Sequence, residues 1–274
     1  MQTFHRITST IVCLTLLILT TSGMLGCAGA LSEVNIFTDE EEVELGKQFS
    51  QEIEKEVRIY NDSVITAYID ALGQQMARVS KRNDITYRFK VVDSEDINAF
   101  ALPGGYLYVN LGLIRASGTE CELAGVLGHE IGHVVGRHGA QALTRQLGIT
   151  AVTQLILGEA PDKLAELAAD VVATGAMMKY SRDAEREADG FAVQEMYDAG
   201  INPEGLATFF EKLHQLRRQQ PSQLEQFFSS HPQSLERVAN VRAQIANLPR
   251  KYGLRKDSSR FHQIKTRLPP RRRM

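Results

Sequence analysis

Apolar positions recur along this chain at two spacings. Leu123, Val126, Leu127, Ile131 and Val134 fall three or four residues apart, the period of one helix face. Val64, Tyr68, Leu72, Met76 and Val79 do the same and predict a helix over 64–79. Upstream, Thr38 followed by Glu41 is a capping box, predicting a helix over 39–58. Tyr87, Phe89 and Val91 alternate with Arg88 and Lys90, the period of a half-buried strand. Pro103-Gly104-Gly105 reads as a turn, with a second strand over 106–110. Together these predict a small antiparallel sheet ahead of a helix that opens at Thr119, three residues before Glu122. Gly125, Gly128, Gly132 and Gly136 lower the propensity of that helix and point to close packing against a neighbour. Further on, 149–157 is apolar, 158–161 breaks the pattern and 164–178 is rich in alanine. That pair reads as core-packing helices, with a mobile lid over a cleft as the alternative. Asn202-Pro203 starts another helix to about residue 218. Pro232 starts the last, to about residue 247. The fold class is α+β, mainly helical.

Chemistry enters within the glycine-rich helix. His129-Glu130-Ile131-Gly132-His133 reads H-E-x-x-H. Two imidazoles four residues apart lie about 40° apart around a helix, so both can grip one zinc ion. The glutamate between them is then placed to act as general base toward a water. A catalytic zinc takes three protein ligands, so a third is expected downstream. In the run from Tyr180 to Asp189, Glu185 and Asp189 stand one helical turn apart. Glu185 is the candidate ligand, and Asp189 can fix the tautomer of a ligand imidazole. Glu187 points about 200° away from Glu185, toward solvent. Taken alone, this segment is also compatible with a charged, solvent-facing helix. His138 follows His129 by nine residues, about 180° around a continuous helix, and so points away from the metal. His231, in a turn before Pro232, can swing over the metal, either to stabilise an oxyanion or to occupy zinc's open position. Arg237 can do the first of these.

These motifs resemble the HtpX and CAAX-prenyl-protease family of gluzincin zinc metallopeptidases. The resemblance rests on H-E-x-x-H, on the segment from Ser181 to Asp189, on Asn98-Ala99-Phe100-Ala101-Leu102-Pro103-Gly104-Gly105, and on His231-Pro232 with Arg237. It covers residues 40 to 248 and implies a zincin-like domain. It implies one zinc per chain, held by His129, His133 and Glu185, with Glu130 as the base. It also implies that the strand beside the cleft pairs with an extended peptide. The chain lacks the membrane spans of the prenyl proteases and resembles the soluble, exported bacterial branch. The expected activity is endoproteolysis of misfolded or misassembled cell-envelope proteins. The rival is a zinc-dependent holdase or assembly factor that cuts little. The intact Glu130 favours the protease.

Composition changes the picture at the two ends. The 274 residues, 43% hydrophobic, can bury a sizeable core. The net charge is −2. From residue 250 onward, however, ten Lys or Arg face a single acid, Asp257, which predicts a basic, disordered tail over 249–274. An acidic body with such a tail does not suit nucleic acid. Arg6 and the apolar run 11–19 form an export signal, too short to span a bilayer comfortably. Met24-Leu25-Gly26-Cys27 resembles a lipobox with Cys27 as the lipidated residue. The competing site, Ala28-Gly29-Ala30, would release a soluble periplasmic protein. The expected organisation is a signal over 1–27, a peptidase domain over 28–248 and the tail. Lipidation would hold the protein at a membrane facing the periplasm, the outer membrane in preference. Signal removal and acylation would leave Cys121 as the sole thiol, a small buried residue two turns from His129.

Overall fold

The computed structural model describes residues 37–175, 177, 179–219, 222–231 and 235–271. The chain enters through helix α1 (Asp39–Glu56). Its capping box is formed: Thr38 Oγ1 accepts from the Glu41 amide, and the Glu41 carboxylate accepts from the Thr38 amide at 2.8 Å. Helix α2 (Ser63–Ala77) follows, capped by the Asp62 carboxylate. Then come strands β1 (Arg88–Val92), β2 (Ala99–Leu102) and β3 (Tyr106–Asn110), and the short α3 (Leu111–Ala116).

The sheet has the order β1-β3-β2. It is mixed rather than antiparallel, because β1 runs parallel to β3 and only β2 runs against it. The intervening β2, not anticipated from the sequence, provides the crossover that lets β1 and β3 share a direction. Alternation along the strands divides the molecule in two. Leu107 and Val109 join a core cluster with α2 and the helices below, while Tyr106 and Tyr108 join a second cluster with α1. On that second face Phe100 and Tyr108 are directly opposite and stacked, ring centroids 4.9 Å apart.

Helix α4 (Glu120–Val135) carries the H-E-x-x-H motif and is buried along nearly its whole length. Its Thr119 cap does not form the expected box; the Glu122 carboxylate instead accepts from the Gly118 amide at 2.7 Å. Then follow α5 (His138–Leu147), α6 (Ile149–Ile156) and α7 (Pro161–Thr174). Val152, Leu155, Leu164, Leu167, Ala168 and Val171 pack into the second cluster beside Leu45, Phe49 and Ile53 of α1. This matches the core-packing reading of that region. Helices α8 (Arg182–Asp198) and α9 (Glu204–Leu216) close over α4. The glycines make this approach possible. A Cβ on Gly132 would stand 2.6 Å from the Ala188 carbonyl oxygen on α8, and one on Gly125 would stand 2.8 Å from the Leu206 backbone on α9. After α10 (Glu225–Ser230) and α11 (Leu235–Ala246), the basic segment expected to be disordered forms α12 (Ser259–Arg267). Phe261 and Ile264 of α12 are buried in the main core. Cys27 and the export signal lie outside the described residues, as does Pro232.

Candidate metal centre

Two helices present the site. On α4, His129, Glu130 and His133 are at most 2% exposed. On α8, Ser181 caps the first turn by accepting from the Ala184 amide at 3.1 Å. That start sets the helix phase so that Glu185 and Asp189 both face α4, buried to 2% and 1% exposure. The charged, solvent-facing alternative for this segment therefore fails for these two residues.

The donor atoms converge. His129 Nε2 lies 3.1 Å from His133 Nε2, His133 Nε2 lies 3.4 Å from Glu185 Oε1, and His129 Nε2 lies 3.6 Å from Glu185 Oε2. Tetrahedral zinc with bonds of about 2.0–2.1 Å holds its ligand atoms roughly 3.3 Å apart. The spacing therefore fits one zinc ion. His231, at the end of α10, adds a fourth donor: its Nδ1 lies 3.2 Å from His129 Nε2 and 3.0 Å from Glu185 Oε1. Its Nε2 faces Glu130 Oε1 at 3.4 Å.

The surroundings stabilise this charge arrangement. Burial resists ionisation of Glu185, yet His231, His133 and Arg237 outweigh it and hold the carboxyl well below its ordinary range. Asp189 is likewise held low against its burial, by Arg237 and His129. It meets His129 Nδ1 at 3.0 Å. Burial pushes Glu130 the other way, above the ordinary carboxylate range, despite opposing charge from His231 and His129. Ala101 on β2 donates its amide to this carboxylate. Arg237 on α11 spans both α8 acids, with Nη1 2.6 Å from Glu185 Oε2, and Nε and Nη2 at 2.9 and 2.7 Å from Asp189. Its guanidinium also lies over Phe210, 4.3 Å from the centroid. Arg237 is thus committed to the carboxylates that orient the site.

All four donor residues are buried. Beside His133 and Tyr180 there is a cavity of about 10 Å³, room for no more than one water. Cys121 is buried and unbridged, as expected. Two residues near the metal position were not anticipated. The Tyr180 ring stacks on His133, centroids 3.9 Å apart and planes at 19°. His138 does not point away; it is buried with Nδ1 2.9 Å from His133 Nδ1. The nine-residue angle assumed a continuous helix, but α4 stops at Val135 and the chain turns at Arg137. Gly136 was the available signal, since glycine at the end of a periodic run marks a helix stop. Glu187 remains exposed on one side, yet its carboxylate reaches His138.

An H-E-x-x-H helix with a glutamate ligand on a second helix, in a mainly helical α+β fold, defines a gluzincin-type metallopeptidase. The sequence profile of Peptidase family M48 matches residues 64–245, and the chain belongs to that family. Among similar proteins are the beta-barrel assembly-enhancing protease of Escherichia coli (strain K12), 28% identical over 74% of this chain and 43% of its own length. Metalloprotease YcaL of the same strain is 33% identical over 64% of this chain and 70% of its own. The mitochondrial metalloendopeptidase OMA1 of Schizosaccharomyces pombe is 28% identical over 71% and 59% respectively. The chain spans less than half the length of the beta-barrel assembly-enhancing proteases it matches.

Proposed function

We propose that this protein is a zinc-dependent endopeptidase acting on misfolded or misassembled proteins of the bacterial cell envelope. The observation that carries the reading is the convergence of His129, His133 and Glu185 at zinc-ligand spacing with Glu130 buried beside them. Zinc, when bound, polarises a carbonyl and eases deprotonation of water. Glu130 takes the proton as water adds to the peptide carbonyl and returns it to the departing amine. Its burial beside the histidines, with Nε2 of His231 3.4 Å from Oε1, suits this task. Asp189 keeps a hydrogen on His129 Nδ1, leaving Nε2 free to bind. Arg237 holds Asp189 and Glu185 in register, a role we prefer to the oxyanion one. An extended substrate pairs with the edge strand β2, whose place in the sheet leaves one side without a partner strand among the described residues.

The envelope assignment rests on the name of the beta-barrel assembly-enhancing proteases and on the N-terminal pattern. In this reading residues 1–27 are a signal, Cys27 carries the lipid, the peptidase domain runs from 28 through α12, whose Phe261 and Ile264 join its core, and the protein faces the periplasm, at the outer membrane in preference. No helix among the described residues is long and apolar enough to cross a membrane.

Purified protein should cleave unfolded casein, and a chelator should stop it. Glu130→Gln should keep stoichiometric zinc and lose at least 1,000-fold in turnover, roughly the loss expected when a base and its charge are removed. A chelator-insensitive cut, or wild-type turnover in Glu130→Gln, overturns the reading. Casein protected from aggregation but left intact would support the holdase instead. In this reading His231 fills the fourth position in the resting form, its Nδ1 lying 3.2 Å from His129 Nε2. His231→Ala should therefore raise basal casein cleavage severalfold without changing zinc content. A fall in turnover would assign His231 to the oxyanion instead.

A further inference from the structure

The two imidazoles of the H-E-x-x-H helix are backed by different chemistry. His129 Nδ1 meets the buried carboxylate of Asp189 at 3.0 Å. His133 Nδ1 meets another imidazole, His138 Nδ1, at 2.9 Å. His138 Nε2 in turn lies 3.3 Å from Glu187 Oε2. A histidine binds zinc as the neutral ring, so with Nε2 turned to the metal His133 carries its hydrogen on Nδ1, toward His138.

A row of carboxylate, imidazole and imidazole has one consistent placing of protons. The Glu187 carboxylate can only accept, so His138 Nε2 carries the hydrogen. His138 Nδ1 is then bare and accepts. His133 must donate from Nδ1, which leaves the lone pair of its Nε2 facing His129 Nε2 and Glu185 Oε1 at 3.1 and 3.4 Å. Reversing the row would put a hydrogen on that Nε2 and forbid metal binding.

The fold commits several features to this contact. Arg137 adopts φ 55°, ψ 27°, a left-handed conformation found at no other non-glycine position among the described residues. Glu42 and Asp39 on α1 hold it there, with contacts of 2.9 and 2.6 Å. This turn folds His138 back along α4. A Cβ on Gly136 would stand 2.4 Å from His138 Nε2, so the bare glycine gives the ring its place. Tyr180 stacks on His133 and limits its rotation.

We propose that His138 is a positioning residue: with Glu187 it fixes the tautomer and orientation of His133 for the metal. The inference rests on the zinc-peptidase reading. It gives the two histidine ligands unequal support, a buried carboxylate behind one and a neutral ring tied to a surface carboxylate behind the other. Glu187 is 57% exposed, so the outer end of the row lies in solvent.

Zinc affinity, measured by chelator competition on the full chain, tests this without reference to turnover. His138→Ala should weaken zinc binding about 10- to 100-fold, the usual cost of losing a hydrogen-bond partner to a ligand. His138→Asn sets an amide oxygen near the position of Nδ1 and should restore affinity to within about threefold of the parent. Glu187→Ala, at an exposed position that leaves folding intact, should cost severalfold. If His138→Ala does not fold, the Asn and Glu187 variants decide. Parental affinity in His138→Ala, an Asn variant as weak as Ala, or no change in Glu187→Ala overturns the inference. A parent protein that binds no zinc would instead overturn the metal-centre reading itself.

Discussion

At the scale of single residues, the same burial has opposite consequences depending on what a carboxylate meets. Glu185 and Asp189 are buried but lie against Arg237 and imidazoles, so they stay ionised. Glu195, on the same helix and 3% exposed, has no hydrogen-bond partner at either oxygen among the described residues. Burial first, and then the charge of Asp198, push it well above its ordinary value of 4.5. A raised acid binds its proton more tightly in the folded than in the unfolded chain. It therefore withdraws stability as pH climbs above 4.5, and none below. Glu195→Gln should be more stable than the parent by about 1 kcal/mol or more at pH 8, with the difference vanishing near pH 4. Denaturant titrations of both proteins at each pH measure it, and zinc loss at low pH cancels in the comparison. A constant difference across that range would show that Glu195 titrates alike in the folded and unfolded chain and would overturn the prediction.

Among elements, the α4–α8 contact decides whether the metal centre exists. The H-E-x-x-H spacing was legible because a helix has a fixed period, and so was the Glu185–Asp189 face. What joins the two is the absence of a side chain at Gly132, where the helices touch backbone to backbone. Gly132→Val should force α8 away from α4, costing about 1–3 kcal/mol through overpacking. Because Glu185 rides on α8, the variant should also lose zinc affinity more steeply than its thermal stability falls. Scanning calorimetry with metal analysis would check both; parental zinc content in a destabilised protein would show that α8 can retreat without moving Glu185. The glycines signalled a close neighbour, but one-dimensional periodicity carries no information on which helix that neighbour is.

Over the whole molecule, the C-terminal segment shows where composition misleads. Ten basic residues from position 250 onward point to a solvated tail. Yet Phe261 and Ile264 recur at helical spacing and enter the core, and Arg255 pairs with Glu120, at the first turn of α4. Glu120 is 4% exposed and also accepts from the Tyr68 hydroxyl at 2.7 Å. Removing residues 255–274 would leave this buried acid without its cation and take Phe261 and Ile264 out of the core. The truncated protein should be destabilised by about 3–5 kcal/mol, the scale set by an unpaired buried charge. A denaturation midpoint equal to that of the full chain would show that α12 merely rests on the surface.

The sequence by itself determined the helices with a strong apolar period, the strand alternation, the capping box at Thr38 and the residue types that suit zinc. These follow from spacing along the chain, which backbone geometry converts directly into shared faces. Tertiary structure alone decided the parallel β1–β3 pairing, the burial of α12, and the return of His138 onto His133. Each of these depends on a partner remote in sequence or on a single turn at Arg137, and neither leaves a periodic trace. The chain's local rules gave direction to its side chains; only packing supplied the opposite half of each contact.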